Sequence, residues 1–495
     1  MHAVKRKPGG LSTWFFFKDE KMKKTSVIIG VVVALGAVWV GGAWYTGQQL
    51  ESRFASTVAE ANGWQQQHPA SPRVKISYQD YQRGIFSTQL KIVLTPAPNA
   101  KTSWLKPGQS LILNQTIDHG PFPAASLKSF NLIPALASVN TTLENNATTK
   151  AVFVLSKGIS PFEMETRFSY GGATVSALSL RPLNAERGRS KIAFSGGNVI
   201  YSLDARHDVM SLKGQIESAQ IDTTDRNNKK IQLSFRQLKT DSSSWNSNFG
   251  RMGEQLITLE QAAITLNGNR KAELDNVRID GKTALAEGGK KINSQLNFAL
   301  ENLKMMNRPI GSGQLTLKAE GIDGEAMRQF MEHFRTLHAQ NKSAQENILA
   351  TLLPTLLKGG PTVTLSPLRW KNVKGESSLD LSVSVRDPAE VPGTAGATEQ
   401  RIDSKVKSLS VKLAIPIDMV TELMTQIAQT RNVSPEDAAK IANQQVKQMI
   451  MLSKMFKLTT MQNNTISSDL HYAAGQVTLN EQKMSLQKFL SRTRL

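Results

Sequence analysis

The feature that most constrains this chain is an uncharged run near its N-terminus, TSVIIGVVVALGAVWVGGAWY, which extends from Thr25 to Tyr45. In a helix that rises about 1.5 Å per residue, a run of this length matches the roughly 30 Å hydrocarbon core of a bilayer. A helix also satisfies its own backbone hydrogen bonds, which lipid cannot do. The sequence therefore predicts one transmembrane helix at residues 25–45.

Charge predicts the orientation of this helix. Residues 1–24 hold seven lysines and arginines against two acidic residues, and positive flanks stay on the cytoplasmic side. Trp39, Trp44 and Tyr45 stand at the other end, where aromatic rings favour the membrane interface. We therefore expect a single-pass protein of a bacterial inner membrane, with a cytoplasmic N-terminus and the bulk of the chain in the periplasm.

Two alternatives concern the N-terminus. Gly41-Gly42-Ala43 supplies the small residues of a signal-peptide cleavage site. However, the apolar run is longer than the usual core of roughly 7–15 residues, which favours an uncleaved signal anchor. Met22-Lys23-Lys24 also resembles a natural start, so residues 1–21 are interpreted as an upstream extension without a structural role.

Composition excludes several kinds of site and partner. The chain has 495 residues and no cysteine, which excludes disulfides, thiolate nucleophiles and cysteine-based zinc sites. Its net charge of +20 favours solubility and attraction to anionic lipid headgroups. The positive charges are scattered and no aromatic–basic platform recurs, so we expect no nucleic-acid partner. The region beyond the span exceeds the usual size of a single core, which predicts two or more subdomains.

Alternation of apolar and polar residues predicts that this region is mainly β-structure. The clearest alternating segments lie at 86–95, 378–386 and 408–415, and shorter ones lie at 231–235, 296–300 and 315–317. Strands with one polar face are typical of antiparallel sheets that are wet on one side. Their apolar faces need cover from each other, from helices or from a bound apolar molecule.

Helical periodicity occurs late in the chain. Apolar stripes near 327–337 and 348–357 predict one helical hairpin, and stripes near 419–427 and 436–458 predict a second. Ser434-Pro435-Glu436-Asp437 predicts a helix start, with an N-cap, a first-position proline and acids in the first turn. The late methionines favour adaptable core packing, and a malleable surface for lipid or partners is the alternative.

The predicted fold class is mainly β with inserted helices (α+β). It combines a transmembrane helix with a large, extended antiparallel sheet and two helical hairpins. The predicted regions are a basic cytoplasmic N-terminus (1–24), the transmembrane helix (25–45), a β-rich region (46–320), a hairpin (321–360), strands (361–415) with a mobile loop at 387–400, a second hairpin (416–460) and C-terminal strands (461–495).

Motifs for catalysis are absent from the sequence. It contains no GxGxxG, P-loop, HExxH or GxSxG pattern. His333 and His338 are five residues apart, which does not place them on one helical face as a metal pair requires. We therefore predict a protein that is not an enzyme and that has no metal or cofactor. A hydrolase or metal enzyme around His119, or around Asp204 and His207, is the less favoured alternative.

Two short motifs are better candidates for a functional site. In YQRGIFST, at residues 81–88, Gly84 permits a turn, and Arg83 either binds an anionic headgroup or is solvated. In IDHGPFP, at residues 117–123, the glycine and two prolines predict a tight turn pinned by the phenylalanine. His119 is either a base or ligand, or a hydrogen-bonded structural residue, which we favour. The candidate functional residues are Arg83, Gly84, Phe86, His119, Gly120, Pro121, Phe122 and Pro123.

The order of these motifs resembles a known family. GGAWYTGQQLE at 41–51 is followed by YQRGIFST, then IDHGPFP, then GQVTLN at 475–480. This arrangement is similar to the YdgA family of Gram-negative inner-membrane and periplasmic proteins, from residue 22 nearly to the C-terminus. Residues before 22 depart from the family. The resemblance implies a periplasmic domain on an inner-membrane anchor, with no assigned activity and no catalytic residues to carry over.

The functional expectation follows from the anchor, the half-apolar sheets and the lack of a catalytic constellation. We expect a non-enzymatic envelope protein whose β-scaffold binds lipid or another amphiphile. The alternative is a structural or assembly partner in the envelope, such as a homo-oligomer or a scaffold for another envelope protein. In that case the same apolar surfaces would be buried in protein contacts.

Overall fold

The computed structural model describes residues 19–67, 74–97, 105–128, 130–225, 227–338, 355–387, 398–431 and 433–493. In the first helix, side chains are described at residues 37–52 and 54–63. Three predicted features therefore lie wholly or largely outside the described residues. They are the basic N-terminus before residue 19, most of the helical stripe at 348–357, and most of the loop at 387–400.

Helices in the described part of the chain number eight. They are α1 Asp19–Gln67, α2 Ala124–Lys128, α3 Lys150–Leu155, α4 Gly324–His338, α5 Thr398–Lys405, α6 Ile417–Gln429, α7 Pro435–Phe456 and α8 Leu486–Thr493. The predicted transmembrane segment falls within α1, which continues well beyond it. Among the residues that the structure describes, no helix combines the length and the apolar character needed to cross a membrane. The transmembrane helix is thus not confirmed.

Strands of the described residues all join one antiparallel sheet. They are β1 Val74–Arg83, β2 Ser87–Pro96, β3 Leu111–His119, β4 Ala137–Leu143, β5 Phe162–Phe168, β6 Thr174–Leu180, β7 Leu183–Arg187, β8 Ser190–Phe194, β9 Gly197–Leu203, β10 Val209–Thr224, β11 Lys230–Ser247, β12 Gly250–Leu266, β13 Asn269–Leu285, β14 Lys291–Met305, β15 Arg308–Asp323, β16 Thr362–Asn372, β17 Gly375–Val385, β18 Val406–Pro416, β19 Thr460–Gln462, β20 Thr465–Ala473, β21 Gln476–Leu479 and β22 Gln482–Ser485. All six alternating segments of the sequence lie in strands.

The sheet follows chain order with few departures. β1 to β6 pair in sequence, β6 pairs with β9, and β9 pairs with β10. The β7–β8 hairpin pairs with the other half of β10. β10 to β18 then pair in sequence, and β18 pairs with β20, which carries β19 and β21. This confirms the large antiparallel sheet predicted from alternation.

A line of irregularity, here called the crease, crosses the central strands β10–β14. At this level five neighbouring residues are skipped in the otherwise regular pairing: Glu217, Gln237, Glu260, Asn276 and Glu301. Gln237 and Asn276 have φ angles of 51°, in the left-handed region. A strand that passes through such a residue changes its alternation, so the apolar positions of β11 are odd-numbered before Gln237 (Ile231, Leu233 and Phe235) and even-numbered after it (Leu238).

Helices pack mainly near the two ends of the sheet. α1 contacts β1, β2 and β3, while α6 contacts β15 to β18. α6 and α7 form the second predicted hairpin, and Met419 and Val446 from these helices share a core cluster with Trp370. The predicted start of α7 is confirmed, because Ser434 Oγ accepts a hydrogen bond from the Asp437 amide at 3.1 Å. Burial is concentrated in several separate clusters rather than in one core.

Candidate functional site

The two sequence motifs meet beside α1. Arg83 ends β1, and the Gly84 amide donates to the Ser87 carbonyl at 2.8 Å, which closes the turn into β2. His119 ends β3, and its amide donates to the Phe86 carbonyl at 2.8 Å. The pairing of β2 with β3 therefore brings the two turns together, although they are more than 30 residues apart in sequence.

His119 is buried between the sheet and the helix, at 1% exposure. Its Nδ1 lies 3.1 Å from the Ile85 carbonyl oxygen, and its Nε2 lies 2.9 Å from Thr88 Oγ1. Because a carbonyl only accepts, Nδ1 carries the proton and Nε2 accepts from the Thr88 hydroxyl. Burial lowers the pKa of His119, which keeps the imidazole neutral. Both ring nitrogens are therefore hydrogen-bonded, which agrees with the prediction that His119 is a structural residue.

Small residues of α1 allow the helix to approach this histidine closely. A Cβ atom on Gly47 would lie 2.5 Å from His119 Cε1, and one on Gly42 would lie 2.9 Å from Pro121 Cδ. Ala43, between them, is fully buried. Separations this short do not occur for real Cβ atoms, so glycine at both positions sets the distance between helix and sheet.

The Gly120-Pro121 turn adds further contacts with α1. Its peptide bond is cis, and the Phe122 carbonyl accepts a hydrogen bond from Trp39 Nε1 at 3.2 Å. The Trp39 ring also packs on Phe86, with ring centroids 5.2 Å apart. Pro123, which ends the motif, is buried. Phe122 is thus held through its carbonyl to the helix, whereas the sequence predicted that its side chain would pin the turn.

Polar contacts extend this attachment along α1. Arg83 Nη1 donates to Glu51 Oε2 at 2.8 Å, so this arginine pairs with the helix. Asn62 holds β1 through two hydrogen bonds of 2.8 Å, one to the Ile76 carbonyl and one from the Ile76 amide. Sequence reasoning missed the roles of Asn62 and of the glycines of α1. The recurring small residues in GGAWYTG were the available signal, because small residues on a helix permit close packing.

An apolar cleft, here called the α1 cleft, lies between α1 and strands β3 to β5. Its volume is about 610 Å³, within the range of ligand pockets. No charged residue is among those that line it: Tyr45, Thr46, Gln49, Leu50, Phe54, Thr57, Gln115, Ile117, Leu136, Ala137, Val139, Thr141, Met164, Thr166 and Phe168. Hydroxyl and amide groups stand among the apolar side chains, so the cleft suits an uncharged, mainly apolar ligand.

A transverse row of side chains, here called the apolar file, continues on the same face of the sheet. Paired residues of neighbouring strands share a face. Successive partners on ten strands are all apolar or glycine: Phe162, Leu180, Gly197, Ile216, Leu238, Leu259, Val277, Leu300, Gly313 and Trp370. Most of them are only half-buried. Phe162 is two residues from Met164 of the α1 cleft on β5, so the file and the cleft adjoin.

The opposite face of the same strands is polar. Lys213 pairs with Asp241 at 3.2 Å, and Lys282 pairs with Glu254 at 2.7 Å. Lys239, next to Leu238 of the apolar file, is exposed on this face. The long central strands are therefore two-faced, as their alternation predicts.

The alternative catalytic positions form a turn. Asp204 Oδ1 accepts the Val209 amide at 2.9 Å, and the His207 amide donates to the Asp204 carbonyl at 3.1 Å. The backbone hydrogen bond from Val209 lowers the pKa of Asp204. Within the described ranges, no group of three or more histidine and acidic side chains is close enough to hold a metal ion.

Sequence comparison finds relatives that match nearly the whole chain. A family described as "Bacterial protein of unknown function (DUF945)" matches residues 22–487. Protein YdgA of Escherichia coli K12 is 45% identical over 483 residues, which cover 95% of this chain and 96% of the relative. The uncharacterized protein YihF of the same organism is 30% identical over 479 residues, covering 94% and 97%. No solved structure matches the chain.

Proposed function

This chain belongs to the DUF945 family, which includes YdgA as the motif order predicted, and we propose that it is a membrane-anchored envelope protein that binds an amphiphile. In this proposal α1 anchors the protein in a bacterial inner membrane, and the sheet lies in the periplasm. The ligand is a lipid or a similar amphiphile whose acyl chains lie on the apolar face of the sheet. The protein has no catalytic role.

The observation that carries this proposal is the apolar file and its continuity with the α1 cleft. Apolar side chains that stay partly exposed lose about 25 cal/mol of stabilisation for each Å² left in contact with water. Six of the ten positions, on strands from β5 to β13, are partly exposed apolar side chains, and such a row is larger than scattered surface leucines. Acyl chains are a natural cover, because they are apolar, flexible and long.

Dimensions agree with this ligand class. The partly exposed part of the apolar file, from Phe162 to Val277, crosses six strand spacings of about 4.8 Å and is about 29 Å long. The hydrocarbon core of a bilayer is roughly 30 Å thick, and one leaflet supplies about half of that. More than one acyl chain could therefore lie along the file, with one end in the α1 cleft.

The anchoring part of the proposal is supported by the packing of α1 against the sheet. The uncharged run at 25–45 and the residues that pack on the sheet belong to a single helix, and the packing begins at Trp39, within the last part of that run. Contacts at Trp39, Gly42 and Gly47 fix that helix against the sheet. An amphiphile that leaves the membrane beside α1 would thus meet the α1 cleft first.

Lipid content of paired variants tests the proposal. Leu238→Gln with Leu259→Gln places two amides in the apolar file, whereas Lys239→Gln with Thr258→Gln changes the neighbouring pair on the opposite face. Full-length proteins would be purified in mild detergent and compared by native mass spectrometry and lipid extraction. We expect the file variant to lose most of its bound phospholipid and the control to keep it, because only the file contacts acyl chains.

Two outcomes would contradict the proposal. Equal lipid content in both variants would mean that any bound lipid surrounds only the anchor. A lipid-free protein that forms a defined oligomer, which the file variant disrupts, would favour the assembly role instead.

A further inference from the structure

A second apolar surface lies outside the α1 cleft and the apolar file. Phe130, Leu132 and Ile133, here called the 130–133 patch, are 91%, 69% and 65% exposed. They follow α2 in the segment that leads to β4. A cluster of large apolar side chains that are each at least 65% exposed is unusual for a surface in contact with water.

The backbone of this segment is held in place. The Asn131 amide donates to the Ser126 carbonyl at 2.8 Å, and the Ala135 amide donates to the Pro121 carbonyl at 2.9 Å. Arg167 Nη2 donates to the carbonyls of Ile133 and Pro134. Because these bonds fix the main chain, the exposure of the side chains is a property of the fold.

The position of the segment relates it to the anchor. It pairs with the Gly120-Pro121 turn, and that turn contacts α1 at Gly42 and Trp39. Both helix residues belong to the uncharged run that ends at Tyr45. The patch therefore lies near the level of α1 at which the helix would leave the membrane.

Neighbouring residues have the same character. Ile85 and Phe86, in the other motif turn, are 51% and 42% exposed, and Phe86 packs on Trp39. Between His119 and Leu143 the sequence contains one charged residue, Lys128, which is exposed. Aromatic and apolar side chains beside a cation are typical of segments that enter the interface of an anionic membrane.

We propose that the 130–133 patch inserts into the outer interface of the bilayer that holds α1. This inference rests on the anchoring part of the proposed function and is independent of lipid binding by the sheet. Two contacts with one membrane, the helix and the patch, would fix the tilt of the sheet. Leu136 lines the α1 cleft and follows the patch closely in sequence, so insertion would hold the cleft near the lipid surface.

Single-cysteine labelling can test this insertion, because the chain has no native cysteine. Leu132→Cys reports on the patch, Val38→Cys on the exposed side of α1, and Lys239→Cys on the polar face of the sheet. Each full-length variant would carry a nitrobenzoxadiazole dye and be reconstituted into vesicles of phosphatidylethanolamine and phosphatidylglycerol. Lipids with brominated acyl chains then quench the dye according to its depth.

We expect strong quenching at positions 38 and 132 and little at 239, with a difference of at least about twofold for a side chain that enters the interface. Quenching at 38 with a control-like signal at 132 would overturn the inference and leave the anchor intact. No quenching at 38 would show that the anchor itself fails, and the inference would fall with it. Protection of the dye at 132 that depends on protein concentration in detergent, without quenching in vesicles, would assign the patch to a second copy of the chain.

Discussion

The two ends of one row of side chains differ in how they are covered. Ile117 and Leu296 are linked through successive strand partners on the same face of the sheet. Ile117 is 2% exposed beneath α1, whereas Leu296 is 42% exposed. Both residues are apolar and lie within strands of the same sheet. The difference comes from a helix distant in sequence, so a strand's own pattern cannot determine its burial.

The largest expected effect is on the free energy of unfolding, and it tests this difference in burial directly. Ile117→Ala should lower the free energy of unfolding by about 3 kcal/mol, because it removes packed atoms beneath α1. Leu296→Ala should cost about 1 kcal/mol, since nearly half of that side chain already contacts solvent. Chemical denaturation of both variants in detergent measures this. Equal losses would mean that the central sheet is covered as completely as its α1 end.

A smaller effect on stability should follow from disrupting the close contact between α1 and the sheet. Gly47→Ala should destabilise the protein by about 2 kcal/mol, because the new methyl group would overlap the His119 ring. Gly63→Ala, in the same helix with open space around it, should instead stabilise it by about 0.5–1 kcal/mol. Thermal unfolding and limited proteolysis would compare the two variants. A Gly47→Ala protein as stable as the Gly63 control would show that α1 does not need close contact.

The smallest effect is a pH dependence confined to the covered end. Burial lowers the pKa of His119, so the unfolded chain takes up this proton first as pH falls below about 6.5. Stability from the neutral ring is therefore full above that pH and is lost as pH falls through the lower, folded pKa. The difference between the unfolding midpoints measured above and below pH 6.5 should be smaller in His119→Gln than in the parent chain.

His333→Gln is the matched control for this measurement, because His333 is exposed on α4. It should leave the pH dependence unchanged. A profile that His333→Gln flattens and His119→Gln leaves intact would contradict the assignment.

Much of the sheet could be predicted from sequence, because alternation is a local property. The turn at Gly84, the strands on either side of it and the cap at Ser434 all follow from neighbouring residues. The crease could not be predicted in this way. It depends on left-handed backbone at Gln237 and Asn276, a conformation that is uncommon for residues other than glycine and that the neighbouring residues do not signal.

The candidate site was predicted in its parts but not in its assembly. Both motif turns were found, and His119 was favoured as a structural residue, yet their shared partner was missed. Gly41-Gly42-Ala43 was interpreted as a possible cleavage site and as part of a family motif, whereas in the structure Gly42 and Ala43 lie against the sheet. The contact between helix and motif depends on long-range geometry, so no spacing within either segment reveals it.

The hydrogen bonds between Asn62 and β1 affect how strands of another molecule could pair with this edge of the sheet. An open antiparallel sheet can pair with strands of other molecules, because the amides and carbonyls on the outer side of its terminal strand have no partner strand. β1 is such a terminal strand, and Asn62 takes up both backbone groups of Ile76. The side-chain amide of Asn62 thus makes the two hydrogen bonds that one residue of a further strand would otherwise make. A strand of another molecule could therefore pair with β1 at Ile76 only by displacing Asn62.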